Sequence, residues 1–489
     1  MLRIVLITSC LVVVCHPKTS HAAGDLDGNS GSAGSATVLP PAPPVPTPSA
    51  ASPPALTVEK DKENELHRQL QIRDALLARH ETELRELRAL LASRLATPPV
   101  ISPAPSPPHV DHDTSAWYHR LQIRGYLQIR YNQIPSAASN EHLINEQGDK
   151  SIGKNGGLYI RRARVILFGD VHPRVSVYIQ PDFGSAIGDQ LNVGIVRDFY
   201  ADVFLDRKKE FRLRIGQSKI PFGFENLQSS QNRVPPDRSD ALNSAWQNER
   251  DLGVFFYWAP AHIRSRFRYL VDSGLKGSGD YGVVGFGVFN GQILNRAEAN
   301  AFPHIVARVT WPFALGSQFL ELGGGGYYGK YTVKLESPKD GPPITSAAAD
   351  NTLDDARGHV SVVLFPKPIG LICEFNIGVS PSLGVDEPNR VDSRFLYGGY
   401  AQAMWRFANL LGTPALIPFV RGTLYSGGKK FFNNAPHYEV HEVEFGAEWQ
   451  LVPAFEVVAS YLIADRTSDK YPYKQESGHV TRLHMQINY

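Results

Sequence analysis

From Thr481 to Tyr489 the chain alternates without a break. Thr481, Leu483, Met485, Ile487 and Tyr489 fall on one side, and Arg482, His484, Gln486 and Asn488 on the other. Successive side chains of an extended strand point to opposite faces, so this segment has one apolar and one polar face. Two kinds of structure need such a strand: a sandwich edge, or a wall with hydrocarbon on one side and water on the other. A wall in lipid must close on itself, because an open edge leaves backbone groups unpaired where no water can reach them. The rest of the chain decides between the two.

Apart from its first residues, the 489-residue chain has no run of 18 or more apolar residues, so helices are not the membrane-crossing elements. Membrane barrels escape such a search, since only alternate residues face lipid. The net charge of +2 gives no reason to expect a nucleic-acid partner. Residues 1–22 read as a secretory signal peptide, with Arg3 as the positive end, Ile4 to Val14 as the apolar run and Ser20-His21-Ala22 as the cleavage site. Cys10 and Cys15 fall inside that segment. Cys373 is then the single cysteine of the mature chain, and its stability must come from something other than an internal disulfide.

Composition divides the remainder. Residues 23–56 are rich in Ala, Ser, Pro and Gly and read as a disordered linker. Over 57–96, Leu70, Leu77, Leu84 and Leu91 recur every seven residues, with Leu66 and Leu87 on the adjoining seam position. That spacing predicts a coiled-coil helix roughly 60 Å long. Arg73, His80 and Arg94 weaken the seam, and a solvated single helix is the other reading. Residues 97–114 form a second, proline-rich linker, stiffer than a Gly/Ser one.

From 115 to 489 the pattern is strand, turn, strand. Sixteen strands are expected, near 116–132, 157–170, 173–184, 194–206, 210–219, 251–259, 280–290, 303–311, 317–331, 356–366, 369–379, 394–407, 414–427, 438–451, 454–466 and 478–489. Residues 261–276 interrupt them. Ile263, Phe267, Leu270 and Val271 fall at helical spacing, which predicts a helix in a long periplasmic connection. With that helix set aside, short turns alternate with long loops and both chain ends fall on the periplasmic side, as in bacterial outer-membrane barrels. The expected fold is thus all-β, a 16-stranded antiparallel transmembrane barrel preceded by a periplasmic coiled-coil helix.

Aromatic residues give an independent test. Trp311, Trp405, Trp449 and Tyr489 come at the periplasmic ends of strands, and each tryptophan shares parity with apolar neighbours. Rings at one level form the girdle that a membrane interface favours. The terminal aromatic, with apolar residues at every second position before it, resembles the signal read by the outer-membrane barrel assembly machinery.

Gly157–Asp170 (GLYIRRARVILFGD), Leu213–Glu225 (LRIGQSKIPFGFE), Asp251–Phe255 (DLGVF) and Val288–Gln292 (VFNGQ) resemble the phosphate-selective porin O and P family. The Gly-Gln-x-Lys-x-Pro-Phe-Gly stretch at Gly216–Gly223 is the most specific part. The resemblance covers roughly residues 115–489. It implies a trimeric sixteen-stranded barrel in the outer-membrane lipid, passing small hydrophilic or anionic solutes, with no enzyme activity and no cofactor or metal. It also implies arginines along the pore together with a lysine cluster. This chain has the arginines, but Lys219 has few lysine neighbours in sequence.

Strand parity then assigns the lumen. With Leu121, Ile123, Leu127 and Ile129 outward, Arg120, Arg124 and Arg130 point inward; the same logic turns Arg162, Arg164, Arg212, Arg214, Arg308 and Arg421 inward. Charges facing lipid would each cost about 2–4 kcal/mol at mid-membrane. Asp198, Asp202, Glu442, Glu444 and Glu448 also point inward, so opposed basic and acidic walls are one expectation and mutual pairing is the other. By its resemblance to trimeric porins, the chain is expected to fold its third external loop, 220–250, into the lumen as the constriction, with Lys219 at its base and Arg233, Asp237 and Arg238 within it; the alternative is a surface loop. No Gly-x-Ser-x-Gly, Cys/His or EF-type spacing supports catalysis or metal binding. A second role is open alongside transport, in which the coiled coil ties the barrel to peptidoglycan.

Overall fold

The computed structural model describes residues 55–96, 116–133, 157–187, 190–245, 250–339, 341–468 and 475–489. The expected signal peptide and the 97–114 linker lie outside these residues, as does the 23–56 linker apart from its last two positions. The amino-terminal unit holds one helix, Ala55–Ala96. Leu70, Leu77, Leu84 and Leu87 are exposed on it. A seam of this spacing leaves its leucines bare in a single chain, because burying them takes another helix.

The second unit contains the barrel. Its sixteen strands are β1 Leu121–Gln133, β2 Gly157–His172, β3 Val175–Ile187, β4 Gln190–Phe204, β5 Phe211–Lys219, β6 Arg250–Trp258, β7 Val284–Phe289, β8 His304–Leu315, β9 Gln318–Thr332, β10 Thr352–Leu364, β11 Ile369–Leu383, β12 Arg390–Trp405, β13 Ala415–Gly428, β14 His437–Val452, β15 Phe455–Ser468 and β16 Gln475–Asn488. Each pairs antiparallel with its neighbour in sequence, and β1 pairs with both β2 and β16, so the sheet closes. Closure leaves no open edge and satisfies the backbone within the wall. All sixteen expected strands are present, with shifted ends. The β2–β3 turn falls at Pro173-Arg174 rather than two residues earlier, and β7 is shorter than its apolar pattern suggested.

The seam closes on Tyr489. Its backbone exchanges hydrogen bonds with Gly125 at 2.7 and 3.1 Å, and its hydroxyl donates to the Arg164 carbonyl oxygen at 3.0 Å. A Cβ on residue 125 would lie 2.5 Å from the Tyr489 ring, so glycine is what lets the ring lie flat across the junction. Apolar side chains of the outward parity, such as Ile123, Phe199, Val309, Val360 and Phe395, are well exposed on the outer face. Trp405 and Trp449 are exposed near the end that carries the start of β1 and the finish of β16, the expected periplasmic end. Trp311 differs: it is half-buried against the helix described next.

The connection from β6 to β7 contains the helix Ala261–Asp272. Pro260 fixes its entry and Gly274, at φ 68°, ends it. Ile263, Phe267 and Leu270 form its buried face, in the spacing the sequence shows. Ile263 and Phe267 pack with Ala259 and Val283 at the rim, and Leu270 reaches a cluster inside the barrel.

Candidate functional site: the lumen and its constriction

The third loop folds into the barrel. Ile220, Phe222, Ala241, Leu242 and Ala245 pack with Phe255, Tyr257, Phe289, Val306, Tyr327, Leu396, Tyr425, Tyr438 and Val440, side chains of β6–β9 and β12–β14. Phe224 and Val234 join Leu270 and Leu275 of the β6–β7 connection in a second cluster against Val363, Phe365, Tyr400, Met404 and Phe419. Gln228 Nε2 donates to the Lys276 carbonyl oxygen at 2.7 Å. Two insertions, one from each mouth, therefore meet inside the barrel and bury an apolar core there. A lumen filled this way loses cross-section on that side, since packed interiors exclude water.

Polar groups fasten the loop to the wall. Glu374 accepts from the backbone of Phe224 and Glu225 at 2.8 and 3.0 Å. Arg421 grips Glu225 with both terminal nitrogens, at 2.6 and 3.0 Å. Lys429 pairs with Asp240 at 3.1 Å, and Arg357 donates to Ser244 Oγ at 2.8 Å. Lys219 is buried and donates to three loop carbonyls, those of Asn226, Leu227 and Gln228, at 3.0, 3.1 and 2.8 Å. It holds the loop's first turn. Arg238 donates to Asn226 Oδ1 at 3.0 Å. Arg233 is buried within the loop.

The wall arginines are distributed by height. Near the expected periplasmic end, Arg120 donates to the Val171 carbonyl oxygen and Arg124 stacks 5.1 Å from the centre of the Phe168 ring. Arg214 takes Asp202 at 2.7 and 2.9 Å and lies 3.8 Å above the Tyr200 ring, with Tyr257 and Tyr281 around it. Arg212 reaches Asp280 at 3.3 Å. At mid-height Arg164 pairs with Asp182 at 2.9 Å and Arg308 with Glu321 at 3.2 Å. Asp198 is held by Arg250 at 2.8 Å. Glu448 is fully buried against Lys276 of the inserted connection. In the outer third Glu442 pairs with Arg466 and Glu444 with Arg482. Local pairs of this kind largely cancel a field running from one wall to the other.

Guanidiniums also crowd together beside the constriction loop. Arg130, Arg161 and Arg482, from β1, β2 and β16, converge on the single carboxylate of Asp237 at 2.7, 3.5 and 3.5 Å. Arg162 lies in the field of Arg161, Arg164 and Arg233. It donates to Gln128 Oε1 at 2.7 Å and makes no ion pair among the described residues.

Arg161 was absent from the parity assignment, and so was Arg197. Both sit on β-bulges. The register of β1 with β2 shifts between Gln128 and Ile129, and that of β3 with β4 between Gln180 and Pro181. An extra residue flips the parity beyond it. Leu158 and Ile160 face out above the first bulge, while Ala163 and Val165 share the outward parity below it. Two adjacent charges at a parity switch thus both turn inward, and that switch is visible in the sequence.

Among the described residues, cavities lie on either side of the constriction. Near the start of β1, the expected periplasmic side, a cavity of about 870 Å³ is lined by Arg120, Gln122, Phe168, Tyr178, Tyr200, Phe204, Arg207, Lys208, Arg212, Arg264 and Arg268, among others. On the outer side a space of about 20 Å³, room for roughly one water, lies between Asp237, Asp240, Arg421, Glu442, Glu444, Arg466 and Arg482.

The model of the phosphate-selective porin O and P family matches residues 143–358, from the first external loop into β10. Residues 143–358 belong to that family, one of outer-membrane porins. The porin barrel also superposes on solved channels. It covers 76% of this chain and 97% of the outer-membrane channel DcaP of Acinetobacter baumannii, at 12% identity and a TM-score of 0.46. For OmpF of Salmonella typhi the figures are 76% and 97%, 11% and 0.46, and for OprB of Pseudomonas putida 78% and 96%, 7% and 0.46. These likenesses concern the fold alone. No curated protein sequence matches the chain.

Proposed function

We propose that this porin forms a water-filled diffusion channel in the outer membrane for small hydrophilic solutes, with a modest preference for anions. The observation that carries the preference is the convergence of Arg130, Arg161 and Arg482 beside the constriction loop, with Arg162 among them. Low-dielectric walls concentrate the field of such a cluster in confined water. The preference is modest because most other wall arginines already hold a carboxylate. In the lipid the barrels associate as a homotrimer, and the Ala55–Ala96 helix aids that association or reaches peptidoglycan.

Reversal potentials in asymmetric salt test the preference. Arg162→Ala should shift the potential toward cations, more strongly at low ionic strength because screening is weaker there. Arg164→Ala should move it less, since Asp182 already compensates Arg164. An unchanged potential for Arg162→Ala at low salt would show that this cluster does not face the conducting path.

A further inference from the structure

Gln292 ends the Val288–Gln292 stretch that the sequence singles out, and it lies outside the constriction loop. It is buried, with 5% exposure, and its Nε2 donates to nothing among the described residues. A buried donor left so loses its hydration without return. The backbone around it is strained. Gly291 has φ 112°, and Ile293, a β-branched residue, has φ 81°. Asp251 pins this turn by accepting from the Leu252 and Gly291 N–H groups at 2.8 and 2.7 Å. Strain and an orphaned donor in one short segment point to a ligand rather than to packing.

Gln292 lines a cavity of about 260 Å³ at the end of the barrel opposite the start of β1, between the β7–β8, β9–β10 and β13–β14 connections. Its walls are aromatic. Tyr331 and Phe431 meet edge to face at 5.8 Å, and Phe432 lines the same space. Lys430 lies against both rings at 5.2 and 5.3 Å, with its ammonium bound to Asp355. Arg296 lines the cavity from an exposed position and makes no ion pair among the described residues. The neighbouring Glu298 accepts from the backbone of Ala299 and Asn300 at 3.1 and 3.4 Å. Sites for drug-sized ligands measure about 300–1,000 Å³, so this one suits a single ring.

We propose that this cavity is a capture site, at the expected external mouth, for a small aromatic carboxylate. The ring lies among Tyr331, Phe431 and Phe432, where edge and face contacts add to apolar burial. The carboxylate accepts from Gln292 Nε2 and from the Arg296 guanidinium, both as charge-assisted hydrogen bonds. Inorganic phosphate has the charge but no face to bury. The site is built from other connections than the third loop, and it does not rest on the anion preference proposed above.

The test uses the full chain in planar bilayers, with benzoate added on the side of that mouth and the half-blocking concentration read from the current. Benzoate should block at about tenfold lower concentration than benzamide or inorganic phosphate, each of which lacks half of the match. Gln292→Leu should raise the benzoate value about tenfold, the loss of one charge-assisted hydrogen bond, and Arg296→Gln should raise it at least as much. Arg394→Ala removes a cation that pairs with Glu387 and does not line the cavity; its value should match wild type. Gln292→Leu should also melt no lower than wild type, since an apolar side chain replaces an unsatisfied donor. An unchanged benzoate value in Gln292→Leu overturns the proposal. So does phosphate that blocks as well as benzoate, or an Arg394→Ala channel that reproduces the Arg296→Gln shift. A Gln292→Leu barrel that melts lower overturns it too, by showing the amide to be a structural bond.

Discussion

Asp280, in the connection that follows the Ala261–Asp272 helix, shows how single charges set the local stability of this molecule. Burial alone would raise its carboxyl, but Arg212 and Arg264 outweigh that and hold it below the usual carboxylate range. Arg264 Nε lies 2.7 Å away. A depressed folded value means that the ionised form stabilises the fold. Its contribution is present above the ordinary carboxylate range and is lost as pH falls through the depressed value. Hydrogen exchange across 259–283 should therefore be slow at neutral pH and accelerate only in strong acid. Asp280→Asn should make it fast at neutral pH; slow exchange in that variant would show the pair to be dispensable. Legibility at this scale was uneven. Period-2 alternation exposes the inward arginines of regular strands, but it says nothing about which acid each one meets. It also fails at bulges, where Arg161 and Arg197 break the count. Lys219 shows a further limit: a residue in the family's most specific motif is committed to loop carbonyls, which its sequence neighbours do not reveal.

Among the elements, the constriction loop and the β6–β7 connection behave as two halves of one internal core. The loop has too little regular structure to stand alone, because its helices are single turns at Phe224–Leu227 and Asp240–Asn243. Its order comes from wall contacts. Lys219→Met would leave three buried carbonyls without their ammonium donor, at a cost of about 3 kcal/mol. The loop should then be cleaved by added protease while the barrel persists as a heat-modifiable band. A loop as resistant as wild type would mean that Phe222, Phe224 and the Glu374 clamp suffice. The helix at Ala261–Asp272 was legible because its apolar residues keep the 3.6 period while every neighbour keeps period 2. Its contact with the third loop was not. The meeting of Gln228 and Lys276 joins residues from opposite mouths of the barrel, and no local pattern encodes it.

Across the whole molecule, architecture was the most legible level. Sixteen two-faced segments, alternating short and long connections, and an outward-facing parity that must be apolar leave few alternatives to a closed barrel. Strand ends were less secure, because Gly282 and the docked helix trim β7 in ways its apolar residues do not announce. Association belongs to this scale too. The helix seam carries Arg73 and His80 among its leucines, so in the proposed trimer the barrel walls should supply most of the contact. After deletion of residues 23–112, cross-linking should still give trimers; monomers would make the helix the principal oligomeriser. The cavity near the start of β1 has a consequence for current. It is wide and lined by more cations than acids. One polarity of voltage fills such a basin with anions and the other drains it. In an oriented bilayer the channel is then an ionic rectifier, its current–voltage curve bowed in dilute electrolyte and straight in molar salt, where the Debye length shrinks to about 3 Å.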